Sequence, residues 1–157
     1  MTVKKLIKRI QTFKEEYVSY FKPLEEADIH LYKNQLPFRL PEDYLSFLKF
    51  SNGIIISGDE LFGISNKQFD IIKAYDIEHN EVKYPMPKFI VPFAPDGGGS
   101  YYCFDTSDNN KIVFWTSNYK YSDTDRPEIV NQDFCEWFNE VMLDWSIDII
   151  GDSIFKP

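Results

Sequence analysis

The sequence contains little of the residue types that most often form catalytic and metal centres. Its 157 residues include two histidines, His30 and His79, and two cysteines, Cys103 and Cys135. Neither histidine belongs to a metal-ligand spacing such as H-E-x-x-H, and two isolated cysteines cannot supply a four-ligand zinc site. We therefore expect no cofactor, no metal and no catalytic residue, with both cysteines reduced and buried. A Cys–His pair assembled in space is the enzymatic alternative.

Long apolar stretches are also absent. No run of 18 apolar residues occurs, so the sequence predicts no membrane span. Near the amino terminus, the apolar residues Val3, Leu6, Ile7 and Ile10 are interrupted by lysines and an arginine, so they do not form the continuous apolar segment of a signal peptide. We expect a cytoplasmic protein that does not contact membranes.

Basic residues are outnumbered by acidic ones. The chain has 17 Lys and Arg against 25 Asp and Glu, which gives a net charge of −8. Such a surface repels nucleic acid and attracts cationic partners. We therefore expect a protein partner and no direct contact with nucleic acid. The alternative is that the charge serves solubility alone.

Aromatic residues are abundant: they make up 17% of the chain, and 43% of all residues are apolar. A chain of this length and composition fits one domain spanning residues 1–157. We expect a well-packed core and some exposed rings that anchor an interface. The alternative is that every ring only enlarges the core.

Apolar periodicity and turn residues predict the order of the elements. Apolar side chains at steps of three or four predict an amphipathic helix over residues 3–21, followed by a connector over 22–40. A short helix then begins at Pro41, because proline suits the first helical position. Asn52-Gly53 ends it, and we expect a positive φ at Gly53.

The rest of the sequence favours strands, turns and one long helix. The final helix begins near Asn131 and is predicted to bury Phe134, Trp137, Phe138, Val141 and Trp145. Between the two helical regions we predict strands at 54–56, 61–64, 88–93, 100–105 and 111–116, turns at 57–60, 96–99 and 106–110, a short helix around 68–80 and a polar loop at 117–130.

The glycine run at 97–99 has two interpretations. Successive backbone amides there could cradle an anion. However, the run lies between two predicted strands, and no Lys or Arg occurs from residue 89 to residue 110. The sequence therefore favours a hairpin turn over an anion site.

Residues 40–53, LPEDYLSFLKFSNG, resemble the signature of the SUKH superfamily: Leu-Pro, then Tyr, then Phe-Leu, then Asn-Gly entering a strand. Residues 89–105 resemble the family's strand, glycine turn and strand with a closing Asp. The next strand and the last helix are also similar, although Asp133 stands where Ser is more usual. The matching positions are Leu40, Pro41, Tyr44, Phe47, Leu48, Asn52, Gly53, Gly99, Asp105, Trp115, Phe134 and Phe138.

The resemblance implies an α+β fold, a single domain in which helices flank a twisted, largely antiparallel sheet. It also implies one of two functions. Many bacterial members are immunity proteins that bind and neutralise polymorphic or contact-dependent toxins, often nucleases. Others, of the cell-wall-regulator type, are regulatory or scaffold modules that act through protein contacts. We interpret the signature residues as structural, because they place a helix on a sheet without identifying the surface that meets a partner.

Acidic residues cluster in predicted turns and loops, with tyrosines near them in sequence. Carboxylates there would match a cationic toxin domain, and the rings would anchor it. The alternative is a plain solvated surface. We expect a monomer or a weak dimer. The candidate partner-binding residues are Asp59, Glu60, Asp96, Tyr101, Tyr119, Tyr121, Asp123 and Asp125.

Overall fold

The computed structural model describes residues 1–65 and 69–157, and short helices alternate with strands along them. The helices are α1 (Val3–Ile10), α2 (Glu26–Gln35), α3 (Glu42–Leu48), α4 (Ile71–Asn80), α5 (Phe134–Trp137) and α6 (Trp145–Ile150), with a π-helical segment at Phe138–Asp144 and 3-10 turns at Glu15–Tyr17 and Asp152–Ile154. The strands are β1 (Val18–Tyr20), β2 (Ile54–Ile56), β3 (Asp59–Leu61), β4 (Ile90–Pro95), β5 (Tyr101–Asp105), β6 (Lys111–Trp115) and β7 (Glu128–Asn131).

The strands form two antiparallel sheets that adjoin each other. Their orders are β1-β2-β3 and β4-β5-β6-β7. Just after β3, the backbone N–H of Phe62 donates to the carbonyl of Phe93 in β4 at 2.9 Å, which joins the two sheets. This arrangement confirms the predicted α+β class with antiparallel pairing, and it divides the predicted sheet into two parts.

The predicted helix over residues 3–21 is wrong beyond Ile10. There the chain leaves the helix and pairs with the carboxyl-terminal segment: Lys14 N–H donates to the Ile154 carbonyl, and Lys156 N–H donates to the Thr12 carbonyl, both at 2.8 Å. Val18–Tyr20 then forms β1 against β2. Pairing with distant residues overrides the helical spacing of Tyr17 and Phe21, which sequence periodicity alone cannot anticipate.

The predicted connector over residues 22–40 contains a helix, α2. Its only buried residue is Tyr32, so apolar residues mark no face for a pattern to detect. Its amino-terminal end carries a capping box in which the Asp28 carboxylate accepts from the Glu25 backbone N–H at 3.3 Å. That acidic pair, three residues apart, was the available signal for this helix.

Elements of the second half lie close to their predicted positions. The helix around 68–80 is α4, and residues 66–68 lie outside the described part of the chain. The predicted strands at 88–93, 100–105 and 111–116 are confirmed as β4, β5 and β6. The predicted loop at 117–130 is wrong at its end, where the β-branched pair Ile129-Val130 lies in β7.

The core is largely aromatic and joins α3 to the final helix. Tyr44 packs edge-on against Phe104 and Phe134, with ring centroids 5.2 and 5.5 Å apart. Leu48 and Phe138 are both fully buried, which confirms them as core residues from different helices. The Asp133 carboxylate caps the final helix by accepting from the Glu136 N–H at 2.8 Å, a role that Ser fills equally well.

The final helix departs from its predicted buried face at the π-helical segment. Phe134, Trp137 and Phe138 are buried as expected, but Trp145 is 54% exposed. A π-helical turn closes its hydrogen bonds five residues apart instead of four, so the buried face shifts along such a segment. Met142 and Leu143 are buried instead.

The signature residues hold α3 to the junction between the sheets. The Tyr44 hydroxyl donates to the Phe62 carbonyl at 2.6 Å. The Asn52 amide donates to the Ile64 carbonyl at 3.0 Å and accepts from the Ile64 N–H at 2.8 Å. Gly53 has a φ of +91°, as predicted. These contacts support the structural interpretation of the signature.

Candidate partner-binding site

A cleft of about 350 Å³ lies where the two sheets approach the final helix. We call it the acidic cleft, because four carboxylates and three aromatic rings are among the residues that line it. Those residues are Asp59, Glu60, Pro95, Asp96, Tyr102, Trp137, Glu140, Val141, Met142 and Trp145. Three of the predicted partner-binding residues, Asp59, Glu60 and Asp96, therefore meet at one site.

Asp59 and Glu60 lie in a strand, not in the predicted turn at 57–60. The turn has only two residues, Ser57 and Gly58, with φ angles of +51° and +92°. Two consecutive positive φ angles match the right-handed twist of paired strands and allow pairing to resume immediately. Asp59 therefore pairs with Ile56 and Glu60 with Ile55. Neighbouring residues of a strand point to opposite faces, so Glu60 borders the acidic cleft from the other face of β3. The Asp59 side chain faces Tyr102, whose pKa is raised by burial and by the charges of Asp96 and Asp59.

Asp96 closes the glycine turn between β4 and β5. Its Oδ1 accepts from the backbone N–H groups of Gly98 and Ser100, both at 2.8 Å. The amides of Gly98 and Ser100 therefore donate to a carboxylate of the chain itself and not to an external anion. This geometry favours the hairpin turn over the anion site and places a negative charge at the end of the acidic cleft.

Electrostatically, the acidic cleft favours a cation. Burial raises the pKa of both Asp59 and Glu60, since desolvation disfavours the charged form. No lining residue is basic. The Glu140 carboxylate accepts from the Asn131 amide at 2.8 Å, which leaves its negative charge uncompensated. A positively charged group that entered would offset the cost of holding these charges in a partly buried site.

An apolar face borders the acidic cleft on α6. Trp145 and Ile149 are 54% and 60% exposed and are four residues apart, so they lie on the same side of that helix. Large exposed apolar side chains beside polar groups are characteristic of protein interfaces.

The predicted loop residues lie at a second cleft, of about 820 Å³, on the larger sheet. We call it the loop cleft; Tyr121, Asp123 and Asp125 line it, together with Trp115 and Arg126. The Tyr121 ring packs on Trp115 with centroids 4.4 Å apart. A basic residue and internal packing make the loop cleft a weaker match for a cationic partner.

Two predicted tyrosine anchors make internal contacts. The exposed Tyr119 donates its hydroxyl hydrogen to Asp125 at 2.6 Å. Tyr101 is 8% exposed and lies against Phe62, with ring centroids 6.3 Å apart. Strand alternation turns Tyr101 inward and the next residue, Tyr102, toward the acidic cleft. Tyr101 is therefore not available as an anchor.

Neither cysteine is placed as a nucleophile. Burial raises the pKa of Cys103 well above its usual range and that of Cys135 to about 12, so both thiols stay protonated. The His79 ring lies between the carbonyls of Tyr75, at 2.6 Å, and Pro87, at 3.0 Å, which assigns it a structural role.

Residues 1–65 and 69–157 bring together no group of three or more His, Cys, Asp or Glu side chains suited to a metal ion. Over the same residues, no helix is long and apolar enough to cross a bilayer.

Sequence reasoning missed Tyr102, Glu140 and Trp145 as residues of the acidic cleft. Tyr102 is adjacent to the chosen Tyr101, and strand alternation was the available signal for preferring one over the other. Trp145 was assigned to the core by helical spacing, and no sequence signal reveals the π-helical segment that exposes it.

Comparison with known proteins identifies a family and a related fold. The chain matches the family model SUKH_5, described as SMI1-KNR4 cell-wall, over residues 3–143. A crystal structure of a protein from Pseudomonas syringae pv. tomato shares 16% identity, with a TM-score of 0.64 over 90% of this chain and 98% of that one. A search of curated proteins returns no match. The structural likeness supports the fold alone.

Proposed function

The chain belongs to the SUKH superfamily, and from that premise we propose that it is an immunity protein that binds a polymorphic or contact-dependent bacterial toxin and neutralises it by occlusion. The observation that carries the proposal is the acidic cleft, where Asp59 and Glu60 have no basic neighbour in the lining, bordered by the exposed Trp145. Binding alone suffices, and no catalytic step is required of this chain.

The charge of the acidic cleft suits one class of toxin in particular. Surfaces that bind nucleic acid are rich in Lys and Arg, because they neutralise phosphates. An acidic surface placed over such a site excludes the nucleic acid and is attracted to the same basic residues. We therefore propose a cationic nuclease domain as the partner, met in the cytoplasm by an immunity protein that is a monomer or a weak dimer.

The two parts of the surface have different expected roles. Carboxylates at the rim accelerate encounter with a cationic partner and make association sensitive to salt. The exposed Trp145 and Ile149 contribute buried apolar area, which governs dissociation. On this surface, the carboxylates therefore govern the association rate and the apolar residues govern the dissociation rate.

The proposal predicts that a toxin domain is encoded beside this gene, and co-expression with that domain tests it. We expect the wild-type protein to restore growth and to inhibit the purified toxin at a one-to-one ratio. Asp59→Asn with Glu60→Gln should weaken protection, whereas the matched double variant Asp123→Asn with Asp125→Asn should protect as the wild type does. Failure of the wild type to protect, or turnover at substoichiometric amounts, contradicts the proposal.

A second candidate function is a non-catalytic regulatory or scaffold module. The observation that favours it is the description of the matching family as SMI1-KNR4 cell-wall. Such a module would also act through protein contacts, so the same surface would serve. Deletion of the gene separates the two candidates. A cell-envelope defect in the absence of any toxin supports the module, and sensitivity to the toxin alone supports immunity.

A further inference from the structure

The acidic cleft contains two carboxylates for which the described residues provide neither an ion pair nor a hydrogen bond. The ion pairs of the described chain involve Asp144, Glu25, Glu42 and Asp108, and none involves Asp59 or Glu60. Asp96 and Glu140, by contrast, accept hydrogen bonds within the chain. Half-buried carboxylates without a partner destabilise a fold, so they indicate a group that arrives from outside.

The floor of the acidic cleft adds an unpartnered donor. Trp137 lines the cleft and is 1% exposed, and its indole N–H has no acceptor among the described residues. A ligand suited to the whole site therefore combines a cation with a hydrogen-bond acceptor. A basic amino-acid residue within a protein chain has both, because its side chain is charged and its own main-chain carbonyl accepts.

The size of the acidic cleft and its aromatic walls favour arginine over lysine as the bound residue. A volume of about 350 Å³ is at the lower end of ligand pockets, which range from about 300 to 1,000 Å³, and suits one side chain with its flanks rather than a helix. Tyr102 and Trp145 offer ring faces, on which a planar guanidinium stacks. Arginine is also more weakly hydrated than lysine and pairs with carboxylates in a fixed fork geometry.

We propose that the acidic cleft is the receptor for one arginine side chain of the partner, whose guanidinium pairs with Asp59 and stacks on Trp145. Apolar residues beside that arginine pack on Ile149. The inference rests on the proposed function only for the identity of the protein that carries the arginine.

Charge disfavours a second copy of this chain as the occupant. The apolar face of α6 is flanked by Asp148 and Asp152, so two copies meeting through it would oppose like charges. The chain's own net charge of −8 adds to that repulsion.

The first test uses a defined probe and the three tryptophans as reporters. N-acetyl-arginine N-methylamide is titrated into the protein while the three indole N–H resonances are followed by NMR. We expect Trp137 and Trp145 to shift, with an affinity of about 1 mM or weaker for so small a probe. Trp115, in the loop cleft, should not shift. The neutral citrulline analogue should produce no shift, and the lysine analogue should bind more weakly.

Variants test whether the indole N–H shifts depend on the carboxylates of the acidic cleft. Asp59→Asn with Glu60→Gln should lower the affinity for the arginine probe about tenfold or more, as expected for loss of a charged hydrogen bond. Asp123→Asn with Asp125→Asn should leave its binding unchanged. Equal shifts with citrulline, shifts at Trp115 of the same size, or no shift at the highest soluble concentration would overturn the proposal.

Two further outcomes separate this inference from the proposed function. If the wild type protects against the toxin and the Asp59→Asn, Glu60→Gln variant protects equally well, the arginine receptor is wrong and immunity stands. If the probe binds as expected and the wild type fails to protect, immunity is wrong and the receptor stands for another basic protein. A concentration-dependent dimer, abolished by the same variant in light scattering, would place a second copy in the cleft and overturn the inference.

Discussion

Replacing Gly53 by alanine tests how tightly the signature holds the sheet junction. Gly53 has a φ of +91°, and a Cβ built there would lie 2.9 Å from the Leu61 carbonyl oxygen and 3.0 Å from the Gly63 nitrogen. Both contacts are with backbone atoms, so no side chain can rotate away. Gly58 provides a matched control: its φ is +92°, and a Cβ there meets nothing within 4 Å.

The difference between the two variants isolates the backbone contact. A side chain at positive φ costs about 1 to 2 kcal/mol. Reduced freedom of the unfolded chain offsets about 0.4 to 1 kcal/mol of that cost. Gly58→Ala should therefore lower the free energy of unfolding by about 1 kcal/mol. Gly53→Ala adds overpacking of about 1 to 3 kcal/mol, for a total of about 2 to 4 kcal/mol.

Urea denaturation of the wild type and both variants measures these differences. Equal slopes with denaturant show that the unfolded states are comparable, so the midpoints report stability directly. Equal losses in the two variants would show that the chain near Leu61 yields easily, and the close contact at Gly53 would then not limit stability. No loss in either variant would also refute the cost assigned to positive φ.

Three further predictions concern the rest of the fold. Phe138→Ala should cost about 3 to 5 kcal/mol in urea denaturation, because the side chain is fully buried. Arg9→Ala should lower the free energy of unfolding by about 1 to 3 kcal/mol, because the Arg9 guanidinium joins α1 to the π-helical segment through two hydrogen bonds of 2.6 Å. Arg39→Ala is the control: its ion pair is exposed, so the free energy of unfolding should change little. Burial raises the pKa of Glu78, so its contribution to stability is present at low pH and is lost as pH rises through the folded-state pKa. Glu78→Gln should therefore unfold at higher urea than the wild type at neutral pH, with the difference vanishing below about pH 4.

Local signals determined which elements could be predicted. Around α3, an acidic first turn, four buried apolar residues and Gly53 all point to the same short helix. At α1 the local signal continues past Ile10, but residues 12–14 pair with residues 154–156, about 140 positions away. No window of sequence contains both partners of such a contact, which is why the end of α1 was misplaced.

The acidic cleft was only partly predictable for a similar reason. Asp59 and Asp96 were each identified from the sequence as acids near turns. What brings them together is the joint between the sheets at Phe62 and Phe93, which has no local sequence signal. Trp145 joins them because the π-helical segment shifts the face of the final helix.

The signature and the acidic cleft make opposite contributions to stability, and one double variant exposes the contrast. Tyr44 and Asn52 direct their polar groups to backbone partners and so stabilise the fold. Asp59 and Glu60 have raised pKa values, so the folded state binds their protons more tightly than the unfolded state does, and stability falls as pH rises through those values. Asp59→Asn with Glu60→Gln should therefore increase the urea midpoint at neutral pH while it weakens protection against the toxin. A variant that lost stability and protection together would show instead that these carboxylates support the fold.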